Sequence, residues 1–386
     1  MPDASDAGGT TDLDGASPET VRAAVESADP LPGTAGFAGR LDGRLVRDVL
    51  GRRPLFVDGD GPSAWSFDPT RLSEPTSVPA GTVCPVGEVP TDGDRAWTLP
   101  DPDPDDRDAA LAAVREAVRT RVRAVGDGEG GRSDDEVAVA FSGGVDSAVV
   151  AAGVPDAPCY VAGFEGCHDV AAAREAAEAM DRELRVVELA HDDLRETVPR
   201  LATAIGRTNP MDLSIALPLH LVAERAAADG FDRLALGQGA DELFGGYAKV
   251  EKAPEDPRVE ADTVRGARRE LLASIPDQAE RDVLAIRAAG IEPVTPLLHD
   301  DVVAAALRLP EDLLVDGGVR KVALREAARG LVPDSVRTAD KKAVQYGTYV
   351  SRELDRLARR AGFKRRMDDH VGQYVRSLLD ESDATE

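Results

Sequence analysis

Two short stretches of the sequence combine small residues, hydroxyls and carboxylates in a way that suits the handling of a polyphosphate. The first reads SGGVDS at residues 142–147 and follows the apolar run VAVAF. Gly143 and Gly144 let backbone N–H groups approach an anion. Ser142 and Ser147 add hydroxyl donors, and a helix that begins here adds the positive end of its dipole. Because the loop has neither the lysine nor the spacing of a P-loop, it predicts a phosphate cradle of another type.

The second stretch reads RLALGQGADELFGGY at residues 233–247 and repeats the order of apolar run, glycine-rich loop and helix start. Its run ends at Gly237, Gln238 lies in the loop, and Asp241 begins the helix. Two adjacent acids at a helix start often serve only the helix dipole. Near a phosphate cradle, however, carboxylates can hold Mg²⁺, which neutralises the charge of a leaving polyphosphate. We therefore expect Asp146 and Asp241 to be metal ligands.

Both stretches belong to an alternation of apolar runs and helical patterns. Strands are predicted near residues 137–141 and in APCYVAGF, LRVVEL and RLALG, with helices between them. Such alternation is typical of a parallel sheet with helices on both faces, which binds ligands at the carboxyl ends of its strands. The prediction is a doubly wound, Rossmann-like α/β fold.

Composition divides the rest of the chain. Residues 1–30 are acidic and poor in large apolar residues, so they are predicted to be mostly disordered. Short apolar runs broken by turn signals predict a small β-rich domain over residues 31–100. Residues 107–362 are assigned to the α/β domain, whose C-terminal part is mainly helical, and residues 363–386 to a charged tail.

Charge and cysteine usage limit the classes of function. The formal net charge of −25 argues against a nucleic-acid partner, which needs clustered positive surface, and fits a solvated surface suited to high salt. The three cysteines show no CxxC and no Cys/His spacing, so neither disulfides nor zinc are expected. No basic segment followed by an apolar stretch opens the sequence, and no run is long enough to span a membrane. We expect a soluble, cytoplasmic protein without a membrane partner.

Together, the two stretches resemble the synthetase domain of the asparagine synthetase family, the adenylating amide ligases with a PP-loop ATP pyrophosphatase fold. The similarity continues in FEGCHDVAAAREAA, in IEPVTPLLHDDVVAAALRLP and in KVALREAARGLVPDSVRTADKKAVQYG. It covers roughly residues 107–350.

This resemblance implies a reaction and a set of acting residues. ATP would be split between its α and β phosphates, a small carboxylate would become an acyl-adenylate, and ammonia or another amine would displace AMP. The residues implied in binding ATP are Ala140, Ser142, Gly143, Gly144, Asp146, Ser147, Gly163 and Gly237, with the backbone of Val139, Ala140 and Gly163 bordering the adenosine. The residues implied in catalysis are Gln238, Asp241, Lys321 and Lys341. Lys342 would substitute for Lys341 if the register slips by one.

Three features depart from the family pattern. The family's glutaminase domain uses a cysteine exposed as the first mature residue, whereas this sequence begins Met1-Pro2 and reaches its first cysteine at Cys84. We therefore expect no glutamine hydrolysis, although RLVRDVLGRRPLFVDGD and SVPAGTV resemble later strands of that domain. GQGADE replaces GEGADE, and Gln238 can hydrogen-bond but cannot act as a general base. PLLH replaces PFLD, and His299 is expected to be a helix-start or surface histidine.

Two hypotheses follow from these features. One is an AMP-forming amide ligase that uses ammonia or an amine, with a separate glutaminase as one source of ammonia. The other is a non-catalytic nucleotide-binding or regulatory subunit, indicated by Gln238 and the incomplete glutaminase pattern. The intact phosphate loop and lysine set favour catalysis. Modification of tRNA is disfavoured by the acidic charge. A homodimer is one of the open alternatives for the oligomeric state.

Overall fold

The computed structural model describes residues 11–126, 137–246, 264–339 and 347–383. Within these residues the chain divides into two compact units. The first is drawn from Met1–Ala117, Gly239–Val283 and Leu297–Ala323. The second is drawn from Val118–Gln238, Leu284–Pro296 and Leu324–Glu386.

The first unit contains two small antiparallel sheets. One sheet pairs, in this order, β1 (Asp12–Asp14), β2 (Ala38–Leu41), β3 (Arg44–Arg47) and β7 (Val83–Pro85). The other pairs β5 (Trp65–Ser66), β4 (Phe56–Asp58) and β6 (Pro75–Ser77). Their shared core is made of buried residues with Trp65 and Phe67 packed against it: Ala38, Leu45, Leu55, Val57, Val78 and Cys84. The predicted β-rich N-terminal part is confirmed.

Disorder of residues 1–30 is a wrong prediction for the described residues 11–30. β1 pairs with β2, with Asp12 opposite Arg40. Helix α1 (Pro18–Ser27) follows and buries Val21 and Ala24. The composition misled because a short strand takes its stability from a partner's backbone hydrogen bonds, and a helix needs few apolar residues when its N-terminus is capped, here by Ser17.

Short helices and one hairpin complete the first unit. The helices are α7 (Ala240–Phe244), α8 (Val264–Ala273), α10 (Asp300–Leu307) and α11 (Glu311–Leu314). The hairpin pairs β13 (Val315–Asp316) with β14 (Val319–Arg320). Three helices contribute residues to both units: α2 (Arg107–Gly126), α9 (Ile275–Arg287) and α12 (Val322–Ala327).

The second unit is built on a five-stranded parallel sheet. Its strands are β8 (Val137–Ala140), β9 (Cys159–Gly163), β10 (Leu184–Glu188), β11 (Arg233–Ala235) and β12 (Glu292–Val294). Their order is β10-β9-β8-β11-β12. The chain starts in the middle at β8, moves outward through β9 to β10, and returns to the other side at β11. This reversal between β8 and β11 confirms the doubly wound α/β prediction.

Helices flank this sheet. They are α3 (Val145–Gly153), α4 (His168–Ala179), α5 (His191–Ile205), α6 (Pro210–Ala228), α13 (Asp334–Arg337), α14 (Val350–Arg360) and α15 (His370–Asp383). α3 packs against β8, while α4 and α6 pack against β9. The segment predicted as a charged tail contains α15, which packs against α5 and α14 and buries Tyr374 and Val375. In the part of the chain that is described, no helix has the length and apolar character needed to cross a membrane.

Candidate functional site

The loop SGGVDS joins the end of the central strand β8 to helix α3. Gly143 has φ +77°, and a Cβ atom there would lie 2.5 Å from the carbonyl oxygen of Ala172. The position therefore requires glycine. The N–H of Ser142 donates to Oγ of Ser147 at 3.2 Å, and the two serine hydroxyl oxygens lie 3.3 Å apart. Both hydroxyls are thus held together at the start of α3.

The start of α3 has the polarity that an anion requires. Gly144 is the N-cap residue and offers no side chain to cap the helix. The first N–H groups of an α-helix have no partner within the helix, and the dipole places partial positive charge beside them. Oγ of Ser147 donates to the carbonyl of Gly144 at 3.2 Å, which keeps the serine inside this turn. The loop therefore presents N–H and O–H donors around a positive helix end.

The chain after β11 lies against the same loop. β11 and β8 are adjacent parallel strands, with Ala235 opposite Val139. A Cβ atom on Gly237 would lie 2.7 Å from the carbonyl carbon of Asp146 and 2.9 Å from the nitrogen of Ser147. The crevice beyond the carboxyl ends of two such strands, where the sheet order reverses, is where doubly wound folds bind ligands. The structure therefore brings Gly237 together with the cradle loop.

Ala140 and Gly163, the residues implied beside the adenosine, end neighbouring strands. Ala140 is the last residue of β8 and pairs with Tyr160 of β9, and Gly163 is the last residue of β9. Gly163 also packs so closely on Cys167 that a Cβ atom would collide with its sulfur. Both positions lie at the edge of the sheet formed by the carboxyl ends of its strands, and their role toward adenosine stays a prediction.

In the first unit, Asp241 and Lys321 form an ion pair. Lys321 Nζ lies 2.7 Å from Asp241 Oδ1, with 46% of the aspartate side chain exposed and 11% of the lysine side chain. Lys321 has φ +59°, a left-handed conformation that is costly for a residue other than glycine, and its N–H donates to Leu314 O at 2.8 Å. A Cβ atom on Gly246 would collide with both paired side chains. The backbone conformation of Lys321 and the absence of a side chain at Gly246 therefore allow the two charged groups to pair.

Some of the predicted site residues belong to different units, and others lie outside the described residues, so the structure does not test whether they form one site. The boundary between the units falls between Gln238, which is half-buried, and Gly239. Shared binding of Mg²⁺ by Asp146 and Asp241 therefore stays a prediction. Lys341 and its alternative Lys342 lie outside the described residues.

The described carboxylates suit a Mg²⁺ ion held mainly by substrate phosphates better than an ion held mainly by protein side chains. Among the residues with described positions, no three His, Cys, Asp or Glu side chains cluster closely enough to hold a metal ion. An ion bound mainly by protein groups is thus not indicated there. A Mg²⁺ ion bound to substrate phosphates needs only one or two carboxylates, and the half-exposed Asp241 can supply one.

Two further side-chain predictions can be compared with the structure. His299 caps helix α10, because its Nδ1 accepts the N–H of Asp301 at 3.2 Å. The helix-start interpretation is confirmed, whereas the surface interpretation is wrong because His299 is buried. All three cysteines are buried as well. Burial raises the pKa of the Cys84 and Cys159 thiols to about 11 and also raises that of Cys167, so none is suited to act as a thiolate nucleophile.

Sequence reasoning missed a buried ionic cluster in the first unit. Arg52 is enclosed between Asp48 and Asp300, and all three side chains are almost fully buried. Charged residues are rarely buried unless they are paired. The sequence shows no pattern that would link Arg52 with Asp300, because the partners are distant along the chain.

Comparison with known proteins agrees with this architecture. A family profile described as asparagine synthase matches residues 111–285 and 255–385. The putative asparagine synthetase (glutamine-hydrolyzing) 1 of Methanocaldococcus jannaschii is 28% identical over 306 residues, which cover 70% of this chain and 54% of that protein. Asparagine synthetase B (glutamine-hydrolyzing) of Escherichia coli is 26% identical over 242 residues, 57% of this chain and 42% of that protein. The chain thus spans about half the length of the curated relatives it matches.

Proposed function

The chain belongs to the asparagine synthase family, and from this premise we propose that it is an ATP-dependent, AMP-forming carbon–nitrogen ligase. The observation that carries the proposal is the loop between β8 and α3, where paired serine hydroxyls and a helix N-terminus lie against Gly237. A loop with these donors suits a pyrophosphate group. The substrates we propose are ATP, a small carboxylic acid, and ammonia or another amine.

In the first proposed step, a carboxylate oxygen of the acceptor attacks the α-phosphorus of ATP. The bond from that phosphorus to the oxygen bridging the α and β phosphates breaks, and pyrophosphate leaves as an acyl-adenylate forms. The first N–H groups of α3 and the hydroxyl of Ser142 hold the departing pyrophosphate. Ser147 joins them when its hydroxyl, which donates to the carbonyl of Gly144 in the structure, turns to the phosphate. These donors act where negative charge develops, which is how fixed dipoles lower a barrier.

Asp241 and Lys321 supply charge to the same step. Mg²⁺, which we propose as the metal with Asp146 and Asp241 as its carboxylate ligands, neutralises phosphate charge when bound. The pair at 2.7 Å orients the Lys321 side chain beside Asp241. We propose the same charge-stabilising role for Lys321 and Lys341.

In the second proposed step, an amine nitrogen attacks the acyl carbon and AMP leaves. The nitrogen must lose a proton, and the amide side chain of Gln238 cannot accept it. Loss of a positioned base typically slows such a step ~10²-fold or more. With ammonia as donor we expect adenylation to be fast and amide formation slow. The buried cysteines favour free ammonia, an amine or a separate glutaminase as the nitrogen source.

The test is exchange of labelled pyrophosphate into ATP in the presence of Mg²⁺ and a panel of carboxylic acids, aspartate first. We expect exchange that depends on one acid and AMP as the final nucleotide. Stoichiometric ADP would refute the assignment. Binding of ATP without exchange for any acid would favour the alternative of a non-catalytic nucleotide-binding or regulatory subunit, which Gln238 supports. Gln238→Glu should accelerate amide formation while leaving exchange nearly unchanged; a slower amide step would instead make Gln238 a specificity residue.

A further inference from the structure

The buried cluster in the first unit is centred on Arg52. Its Nε lies 2.8 Å from Asp48 Oδ1, its Nη2 lies 2.7 Å from Asp300 Oδ1, and its Nη1 donates to the carbonyl of Leu298 at 2.7 Å. Desolvation makes such a buried ion pair a poor source of stability compared with apolar residues of the same volume. Its value is geometric, because the rigid guanidinium fork donates to Asp48 and to the carbonyl of Leu298 while its charge pairs with Asp300.

The cluster attaches residues 298–300 to the segment before β2, which contains Thr34, and to the segment between β3 and β4, which contains Arg52. The N–H of Thr34 donates to Asp300 Oδ2 at 2.7 Å, and the N–H of Asp300 donates to the carbonyl of Thr34 at 2.9 Å. Asp48 completes the attachment by accepting the backbone N–H of Arg52 at 3.0 Å. Arg52 and Thr34 thus hold both the side chain and the backbone of this short segment.

Leu298 connects the held segment to the second glycine-rich loop. Its side chain is buried, and a Cβ atom on Gly239 would collide with its Cδ2 and Cγ atoms, at 2.3 and 2.6 Å. Gly239 has φ +84° and caps α7, the helix whose second residue is Asp241. Asp241 in turn pairs with Lys321. A shift of Leu298 would therefore be transmitted to the backbone that carries Asp241.

We infer that Arg52 is a positioning residue, through which the β-rich N-terminal strands hold Leu298 against the loop that carries Asp241. The inference rests on the proposed ligase function, in which Asp241 contributes to adenylation. Through Arg52, the β-rich part of the chain contributes to the proposed ligase reaction without hydrolysing glutamine. Arg52 touches no substrate in this scheme and acts only through Leu298 and Gly239.

Asp300→Asn tests this inference, with Glu280→Gln as a matched control. Both substitutions keep the size of a buried carboxylate and remove its charge. Glu280 pairs with the buried Arg47 at 3.1 Å and accepts from Ser77 at 2.5 Å, so it also ties the N-terminal strands to a helix. We expect both variants to lose similar thermal stability. Only Asp300→Asn should lower kcat for pyrophosphate exchange, by about tenfold or more, since small displacements of catalytic groups cost that much.

Hydrogen exchange of the amides from residue 239 to 246 provides a readout that does not depend on activity. Asp300→Asn should raise exchange there, and Glu280→Gln should not. Arg52→Lys keeps the charge but loses the fork, so it should retain more protection and more activity than Arg52→Leu. Equal effects of Asp300→Asn and Glu280→Gln on both readouts would overturn the inference. Absence of pyrophosphate exchange in the wild-type protein would instead refute the ligase proposal, and the amide comparison would still decide the positioning role.

Discussion

Replacing Gly237 by alanine inserts one methyl group at the contact between β11 and the cradle loop. The new carbon would lie 2.7 Å from the carbonyl carbon of Asp146, and 2.9 Å from both Asp146 Cβ and the nitrogen of Ser147. Two of these atoms are backbone, and all three belong to the first turn of α3. No rotation of a flexible side chain can relieve them together. The loop must move as a unit.

The size of the expected effect follows from these distances. Ordinary van der Waals contact begins near 3.4 Å, so the separation must grow by about 0.7 Å. A misplacement of ~1 Å at a reacting group costs ~10²-fold, which predicts a loss of about tenfold to a hundredfold in the rate of pyrophosphate exchange. Overpacking should also lower the free energy of unfolding by about 1–3 kcal/mol. The change in KM for ATP should be the clearest sign, because the cradle is the proposed binding site of the phosphates.

Gly153→Ala is the control, because Gly153 lies at the other end of α3 and a Cβ there would collide with the carbonyl of Val122. It should reduce stability at least as much as Gly237→Ala and leave KM for ATP unchanged in the folded protein. Thermal unfolding and exchange kinetics are measured on all three proteins. Wild-type kinetics in a folded Gly237→Ala protein would refute the placement of pyrophosphate at this loop, and so would equal changes in KM for both variants.

Three other outcomes can be checked with the same protein. Lys321→Gln should lower the free energy of unfolding by at most about 1 kcal/mol, because the half-exposed Asp241 is screened by water. The same substitution should slow pyrophosphate exchange ~10²-fold. An unchanged rate would show that Lys321 has no role in the mechanism. Incubation with glutamine should release no glutamate, because every thiol is buried and protonated. Release of glutamate by a variant that lacks all three cysteines would show that another nucleophile is present. His191 lies 2.8 Å from Glu353, and although burial opposes ionisation, this contact and two arginines lower the pKa of Glu353. The stabilisation that the Glu353 carboxylate contributes should be complete above its ordinary pKa of 4.5 and lost as the pH falls through the lowered folded-state value. Thermal unfolding should show a weaker dependence on pH over this range in Glu353→Gln.

The sequence predicted the parallel sheet well because local patterns encode it. Each inner strand is a short, mainly apolar run that the structure buries almost completely, such as residues 137–139, and each run is followed by a glycine-rich turn or a helix. The fifth strand, β12, was missed because Pro293 stands at its centre. Proline is tolerated only where its missing N–H is not needed, as at the edge of a sheet, and β12 is an edge strand. The short strand β1 escaped prediction for a related reason, since its hydrogen bonds come from β2.

The candidate site was predictable where neighbouring residues in the sequence make it, and unpredictable where distant residues support it. The cradle loop is contiguous, so residue types and spacing were sufficient to predict that Ser142, Gly143 and Ser147 share one turn between a strand and a helix. The family resemblance pointed to Asp241 and to Lys321 separately, but nothing near either residue indicates that the two side chains pair. The left-handed backbone of Lys321 is determined by the β13–β14 hairpin and Leu314. Such strain cannot be read from residue types alone.

The buried charges of the N-terminal strands give the strongest reason to treat that part of the chain as functional. Arg47 with Glu280 and Arg52 with Asp300 each join a strand-rich segment to a helical one within the first unit. Burying a charge costs free energy that an apolar pair of equal volume would not. If these strands served only to cover apolar surface, apolar residues would do so at lower cost. The positioning role that we infer for Arg52 explains the burial of its charge, because it fixes the segment next to Gly239. The N-terminal β-rich part would then support the loop that carries Asp241.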